Sequence, residues 1–470
     1  MRLFEFLILV LDLIALLVLN LRLRSKPEWF RFLPSVIVGI LIVHLVVEHY
    51  RWQMVPAYLL TGAFFLLTLP GMLKGTESQP GNRGLAILGG GLEVVGWVAA
   101  VALSILLPVP RLPTPPGPDA VGSVVYDWVD TSRDEAYSTD PTDKREVMVQ
   151  IWYPTQPPPG AQTIPLIDHW DVAGPAIAQF LSLPSFAVDH FSLVRTHTYA
   201  ETPIKTAGAP YPVVIYSHGY LGYRTASFNQ MEALASSGYI VVALDHTYSA
   251  IFTVFSDGRV VLNTPAVLPP GDQQARETLE ATHAADVRFV MNQLEALNSG
   301  ALDKRFAGRF NLQRVGLVGI STGGGAIVWV CSLDPRCKSG IAMDGWFEPL
   351  PETVISEPLR QPFMFMQSET KMWEVDNQPR LEKLYQGVGA DAYHLKFAGV
   401  LHRDFGDYPL VTPLSGLLPE RGSLNGERTV QITDAYLLAY FNKYLKGQPS
   451  PLLTGPSPDY PEVQFESHSP

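Results

Sequence analysis

The stretch Arg314-Val315-Gly316-Leu317-Val318-Gly319-Ile320-Ser321-Thr322-Gly323-Gly324-Gly325-Ala326 decides how this chain folds. Arg314 to Ile320 is a short apolar run of the kind that forms a fully buried strand, and the glycines that follow open a small-residue helix. Between them Gly319-Ile320-Ser321-Thr322-Gly323 matches Gly-x-Ser-x-Gly, the nucleophile elbow. The chemistry explains the residue types. The serine takes a strained backbone on a tight turn, and glycine at the flanking positions Gly319 and Gly323 keeps neighbouring strands and helix from colliding with it. Its hydroxyl then projects above the sheet, at the positive end of the following helix. A glycine-rich turn that merely contains a serine needs neither a buried strand before it nor a helix after it. In this context Ser321 reads as a nucleophile.

Working outward, Glu146 to Tyr153 alternates polar and apolar residues, as a half-buried strand does, and Pro154 ends it. Pro212 to Ser217 and Tyr239 to Leu244 are short apolar runs, with a helical pattern from Ser227 to Ser236 between them. Glu277 to Leu297 has apolar residues at helical spacing. Further strands are expected at Gly340 to Met343, Pro362 to Met366 and Ala392 to Phe397, and a closing helix at Gln431 to Leu445. Continuous apolar strands separated by helices specify a mostly parallel sheet covered on both faces. With the elbow, they specify an α/β-hydrolase fold for residues 123–470.

A serine hydroxyl needs a base, and the base needs an orienting acid. In this fold the chain order is serine, acid, histidine. Asp344 and Glu369 each follow an expected strand; Asp344 is the first choice and Glu369 the second. His402 follows the last strand and is the expected base, whereas His394 lies inside a strand pattern. The tetrahedral intermediate needs backbone donors for its oxyanion. One is the N–H of Thr322. The other is expected from the loop Ser217-His218-Gly219-Tyr220-Leu221-Gly222, with Tyr220 first and Leu221 second. His218 and Gly219 are expected to support the shape of that loop, and Asp245-His246 to brace loops at the strand ends. Cys331 and Cys337 can form a local bridge or remain thiols. No metal cluster or cofactor motif is visible, and this chemistry requires none.

The first part of the chain has a different character. Apolar stretches run from about Leu3 to Leu21, Leu33 to Val47, Met54 to Leu73 and Gly84 to Leu107. Roughly 20 apolar residues cross a bilayer as a helix, so residues 1–107 are expected to be a transmembrane domain of about four helices. Arg22, Arg24, Lys26 and Arg31 in the first connection, and Lys74 and Arg83 around the third, place those connections in the cytoplasm. The hydrolase domain then lies outside the cytoplasm. Asp12, His44, Glu48 and Glu93 within this block are expected to serve helix ends and pairing across helices. The proline-rich segment 108–122 reads as a semi-rigid linker. Overall the chain is 47% hydrophobic and only 17% charged, and its formal charge of −11 argues against a nucleic-acid footprint. The expected partners are a small ester or phospholipid substrate and membrane lipid.

With these motifs placed, the globular part resembles the type II platelet-activating factor acetylhydrolases, secreted and intracellular. Three stretches carry the resemblance: SHGYLGYRTASFNQMEALASSGYIVVALDH, GISTGGG with KSGIAMDGWFEPL, and VLHRDFGDY. They are similar to the family's oxyanion loop with its next strand, its elbow and aspartate strand, and its histidine loop. The resemblance covers about Tyr126 to Leu445. It implies Ser321 as nucleophile, Asp344 as acid and His402 as base, in a calcium-independent, cofactor-free enzyme favouring short or oxidised acyl chains on phospholipids. Related bacterial hydrolases accept simple esters, including synthetic polyesters. The oxyanion loop is one residue longer than the family's between Gly219 and Gly222, which leaves Tyr220 and Leu221 both open. Two other readings compete: a membrane transporter or receptor with a hydrolase-like ligand-binding ectodomain, and a hydrolase of another kind, such as a lactonase or peptidase.

Overall fold

The computed structural model describes residues 1–20, 28–74, 83–371 and 375–470. Among them the chain forms two units, one of residues 1–110, 183–194 and 412–414, the other of residues 111–182, 195–411 and 415–470.

In the first unit the helices are α1 (Leu3–Asn20), α2 (Leu33–Val47), α3 (Val55–Lys74) and α4 (Arg83–Leu106). Ile8, Ile37, Phe64 and Ala100, one from each helix, are fully buried in a shared apolar cluster. Several polar groups inside this unit are paired. Asp12 receives a hydrogen bond from Thr61 Oγ1 at 3.1 Å, and Arg51 meets Glu5 at 2.8 Å and the Leu107 carbonyl at 2.7 Å. Glu48 caps the C-terminal end of α2 and contacts His44 Nδ1 at 2.9 Å. Trp52–Leu69 and Gly89–Leu106 are long and apolar enough to cross a membrane, by length and composition. At 15 residues, α2 falls short of the ~20 that a crossing takes. Against the expected four crossings, two candidate spans stand among the described residues. Residues 21–27 and 75–82, with Arg22, Arg24, Lys26 and the orientation read from them, lie outside the described residues.

The second unit is built on one large sheet. Its strands are β1 (Ala120–Asp134), β2 (Lys144–Thr155), β3 (Thr163–Pro165), β4 (Arg195–Ala200), β5 (Tyr211–Ser217) and β6 (Ile240–Asp245). After the small hairpin β7 (Phe252–Val254) and β8 (Val260–Leu262) come β9 (Phe310–Ile320), β10 (Cys337–Met343), β11 (Phe363–Gln367), β12 (Ala392–Phe397) and β13 (Val463–His468). The order across the sheet is β13-β12-β11-β10-β9-β5-β6-β2-β1-β4-β3. From β12 to β6 every neighbouring pair is parallel, and β2 and β13 add antiparallel strands on either side. The helices are α5 (Trp170–Phe180), α6 (Phe228–Ser236), α7 (Gln273–Asn298), α8 (Thr322–Leu333), α9 (Glu352–Ser356), α10 (Asn377–Gln386) and α11 (Gly426–Lys446).

The central strands are apolar on both faces because both faces are covered. Val213, Ile215, Val315, Leu317 and Phe365 belong to one core with Val287 and Leu294 of α7 and Ile327 of α8. Their neighbours in sequence, Val214, Tyr216, Val318 and Met366, belong to the opposite core with Met231 of α6 and Phe441 of α11. Strands β1 and β4, the edge strands β3 and β13, and helices α5 and α10 are additions to the elements expected from periodicity. The structural strand begins at Ala120, inside the segment read as linker. Its outer part is exposed, and its Ser, Asp and Gly residues weaken the apolar signal.

Replacing Phe441, fully buried beneath the sheet, by alanine should cost about 3–5 kcal/mol through lost contacts and a cavity. Urea unfolding of the detergent-solubilised chain checks this; a cost below ~1 kcal/mol would contradict the described core.

Candidate active site

Ser321 sits where strand β9 ends and α8 begins, at φ 56° and ψ −125°. Such a conformation costs a non-glycine residue on the order of 1–3 kcal/mol and survives only where its surroundings hold it. Here the Ser321 N–H donates to the Met343 carbonyl at 3.1 Å, and the Ser321 carbonyl accepts from Trp346 at 2.9 Å and Gly325 at 3.1 Å. The flanking glycines are dictated by space. A Cβ on Gly319 would lie 2.2 Å from the Gly323 carbonyl oxygen, and one on Gly323 would lie 2.1 Å from that of Ser217. Thr322 is the first residue of α8, and N–H groups in a first helical turn have no partner inside the helix.

Register brings the acid beside the serine. Ile320 of β9 pairs with Met343 of β10, so Ser321 and Asp344 are the next residues along two adjacent parallel strands. Asp344 also has positive φ, 46°, and its N–H donates to the Met366 carbonyl at 2.7 Å. Its carboxylate meets His402 Nδ1 at 2.6 Å and accepts from the Ser368 N–H and hydroxyl, both at 2.9 Å. The His402 N–H is held by Thr370 Oγ1 at 2.8 Å. The carboxylate at His402 is thus that of Asp344, whereas Glu369, the second choice, is exposed, with its N–H bound to the Val400 carbonyl at 2.8 Å. His394 lies in β12, as its pattern implied, and pairs with Gln367 at 2.8 Å.

The loop after β5 approaches the serine through Gly219. A Cβ there would stand 2.7 Å from Ser321 Cβ and 3.3 Å from its Oγ. Gly219 to Gly222 forms a turn closed by the Gly222 N–H on the Gly219 carbonyl at 2.8 Å, with Leu221 at φ 60°. The Gly219 carbonyl also accepts from His218 Nδ1 at 2.7 Å. A trans peptide points its C=O and N–H in opposite directions, so pinning this carbonyl turns the Tyr220 N–H to the other side. Leu221 differs: its N–H is taken by the Ser249 carbonyl at 2.9 Å. That corrects its standing as an alternative donor, because a committed N–H has nothing to offer an oxyanion. His218 is fully buried and accepts the His246 N–H on Nε2 at 3.0 Å. Burial pushes its imidazole well below the ordinary histidine range, so it holds the loop as a neutral ring. Asp245 braces the same loop by accepting the Arg224 N–H at 2.6 Å and pairing with its guanidinium.

Several supports were not read from sequence. Ser368 and Thr370 sit in a polar turn after β11, where only their place beside the acid gives them a role. Helix α5 is tied at its start by Asp168 to Arg224, at 2.7 Å, and at its end by Phe180 to Arg403, whose guanidinium lies 5.1 Å from the ring centroid. One tie thus reaches the loop that follows β5 and the other the neighbour of His402. Cys331 and Cys337 are joined by a disulfide.

The sheet order and the strand–serine–helix turn define an α/β-hydrolase-like protein. A family model described as platelet-activating factor acetylhydrolase, isoform II, matches residues 110–449. The chain belongs to this family of carboxylic-ester hydrolases. Among curated relatives it is 24% identical over 406 residues to a probable 1-alkyl-2-acetylglycerophosphocholine esterase of Arthroderma benhamiae, covering 78% of this chain and 97% of that one. It is 24% identical over 277 residues to a platelet-activating factor acetylhydrolase of Canis lupus familiaris, covering 54% of this chain and 62% of the dog protein, just under two thirds of its length. A solved ferulic acid esterase from Streptomyces cinnamoneus superposes with a TM-score of 0.63 at 28% identity, over 76% of this chain and 99% of that one.

A Gly219→Ala variant would press its methyl against the serine, with Ser321 Cβ, the Ile320 carbonyl oxygen and Ser321 Oγ as its three nearest neighbours. Displacing the hydroxyl by even part of an ångström should lower kcat on the order of 100-fold. Hydrolysis of p-nitrophenyl acetate and circular dichroism check this; wild-type kcat would contradict the described approach of the loop.

Proposed function

We propose that this protein hydrolyses carboxylic esters through Ser321, His402 and Asp344 by way of an acyl-enzyme. The observation that carries the proposal is the 2.6 Å contact between His402 and Asp344, next to a serine held at positive φ against Gly219. His402 removes the proton of Ser321 Oγ as that oxygen attacks the ester carbonyl. The charge that develops on the carbonyl oxygen falls to the N–H groups of Tyr220 and Thr322. The alcohol leaves with the proton from His402. Water, activated by the same imidazole, then attacks the acyl-enzyme and releases the acid. Glu369 has no part in this scheme.

The family points to short or oxidised acyl groups, on a phospholipid or a simple ester. One observation favours a second substrate class. Trp346, Tyr137, Tyr220 and Tyr248 meet in one apolar cluster with Val267 and Leu279, a setting suited to an aromatic acyl group, and the solved structure named above is a ferulic acid esterase. Residues 1–107 would tie the enzyme to a membrane. Leu92, Val95 and Val98 on α4 are apolar and exposed, as expected of a face that meets lipid. The Cys331–Cys337 bond agrees with an oxidising compartment outside the cytoplasm.

Ser321→Ala should abolish hydrolysis of p-nitrophenyl acetate, a loss on the order of 10⁶-fold in kcat, in a chain that still folds. Retained turnover would overturn the proposal. A substrate panel of methyl ferulate, p-nitrophenyl esters of rising chain length and an oxidised-chain phosphatidylcholine separates the two substrate classes. The full chain should stay with the membrane pellet after an alkaline carbonate wash, and release into the supernatant would contradict the membrane tie.

A further inference from the structure

Behind the candidate site a second serine, histidine and aspartate are lined up. Ser217 Oγ lies 2.9 Å from His246 Nε2, and His246 Nδ1 lies 2.9 Å from Asp286 Oδ2. All three residues are fully buried, so no substrate reaches Ser217, and the array must serve something other than nucleophilic attack.

Charge sets where its protons are. Arg145 grips Asp286 through Nε at 3.0 Å and Nη2 at 2.5 Å, and Arg133 adds a contact at 2.8 Å. Burial pushes the Asp286 carboxyl up, but the Arg145 charge and the His246 and Arg145 hydrogen bonds outweigh it and hold the carboxyl well below its ordinary value. An ionised carboxylate only accepts. His246 therefore donates from Nδ1, and its Nε2 accepts from the Ser217 hydroxyl. Burial lowers the His246 imidazole and favours this neutral form.

Two branches lead from His246 to the turn beside Ser321. Along the first, the main-chain N–H of His246, placed by the anchored side chain, donates to His218 Nε2 at 3.0 Å. That leaves the His218 proton on Nδ1, which donates to the Gly219 carbonyl at 2.7 Å. Along the second, His283 stacks on His246 with centroids 3.6 Å apart and planes at 12°. His283 Nε2 meets Ser249 Oγ at 2.8 Å, and the Ser249 carbonyl takes the Leu221 N–H at 2.9 Å. Both branches end on the turn in which Leu221 has positive φ, a position that favours glycine or asparagine.

We infer that Asp286 and His246 are positioning residues for the oxyanion hole: they hold the Gly219–Leu221 turn so that the Tyr220 N–H faces the reacting carbonyl. This rests on the reading of Ser321 as nucleophile and Tyr220 as donor. Neither residue touches substrate. Their effect belongs to the transition state, where the oxyanion exists, and not to substrate binding.

The test uses the full chain with p-nitrophenyl acetate and an aliphatic trifluoromethyl ketone, whose adduct with a serine places an oxyanion in the same hole. Active sites are counted with a fluorophosphonate. His246→Phe should lower kcat per counted site about 10- to 100-fold, leave KM little changed and weaken ketone binding by the same factor. His246→Asn, which keeps an N–H toward Asp286, should recover most of both. Should the phenylalanine variant not fold, His246→Gln, which keeps a polar contact toward Ser217 but loses the donor to Asp286, is read the same way. Loss of melting temperature or of countable sites, with kcat and ketone affinity of the remaining sites at wild-type values, would overturn the inference. Failure of the underlying reading looks different: Ser321→Ala would stay active, or the ketone would not inhibit the wild type.

Discussion

A serine at φ 56° must be held there, and the groups that hold Ser321 also assemble its surroundings. Its N–H and carbonyl bind Met343 and Trp346, which flank Asp344 by one and two residues. The strained turn and the acid are thus fastened by one pair of backbone contacts between adjacent parallel strands. Gly323 lets the Ser217 carbonyl come close, which brings the end of β5, and with it Gly219, against the serine. A side chain at any of these glycines would open the site before it touched the chemistry.

A second strained point, Leu221 at φ 60°, is held from behind by buried polar groups instead of glycines. The two solutions differ for a physical reason. Beside the serine there is no room for a side chain, whereas behind the oxyanion turn there is room for imidazoles: His218 on the main-chain N–H of His246, His283 stacked on the His246 ring, and that ring bonded to Asp286. Neutral histidines suit that task, because each offers one donor and one acceptor in a fixed plane without the cost of burying a charge. The buried charge on Asp286 is matched by Arg145 and Arg133.

The parallel core was legible because its strands are buried on both faces and read as unbroken apolar runs; β5, β6, β11 and β12 begin and end within about two residues of the positions their sequence implies, whereas β9 begins at Phe310, ahead of the expected Arg314. Ser321, Asp344 and His402 were legible because each follows such a strand. Strand β1 was missed since one part of it is exposed and carries Asp and Ser. Helix α5 was missed since Pro175 interrupts its pattern. The positioning role of Asp286 was invisible for another reason: it depends on Arg145, far away in the chain, and on a stack of histidines that only the fold brings together. The four N-terminal stretches were read by apolar composition, and the second, Leu33 to Val47, would span only if it reached through Glu48 to Trp52; its helix ends at Val47.

The central claim is that Ser321 is an activated nucleophile. Intact-mass measurement after treatment with a fluorophosphonate tests it most directly, with the labelled peptide then mapped. The account predicts one adduct per chain, on the peptide containing Gly319 to Gly323, absent in Ser321→Ala and slowed in His402→Ala. An unmodified chain, or an adduct on a different serine, would contradict it.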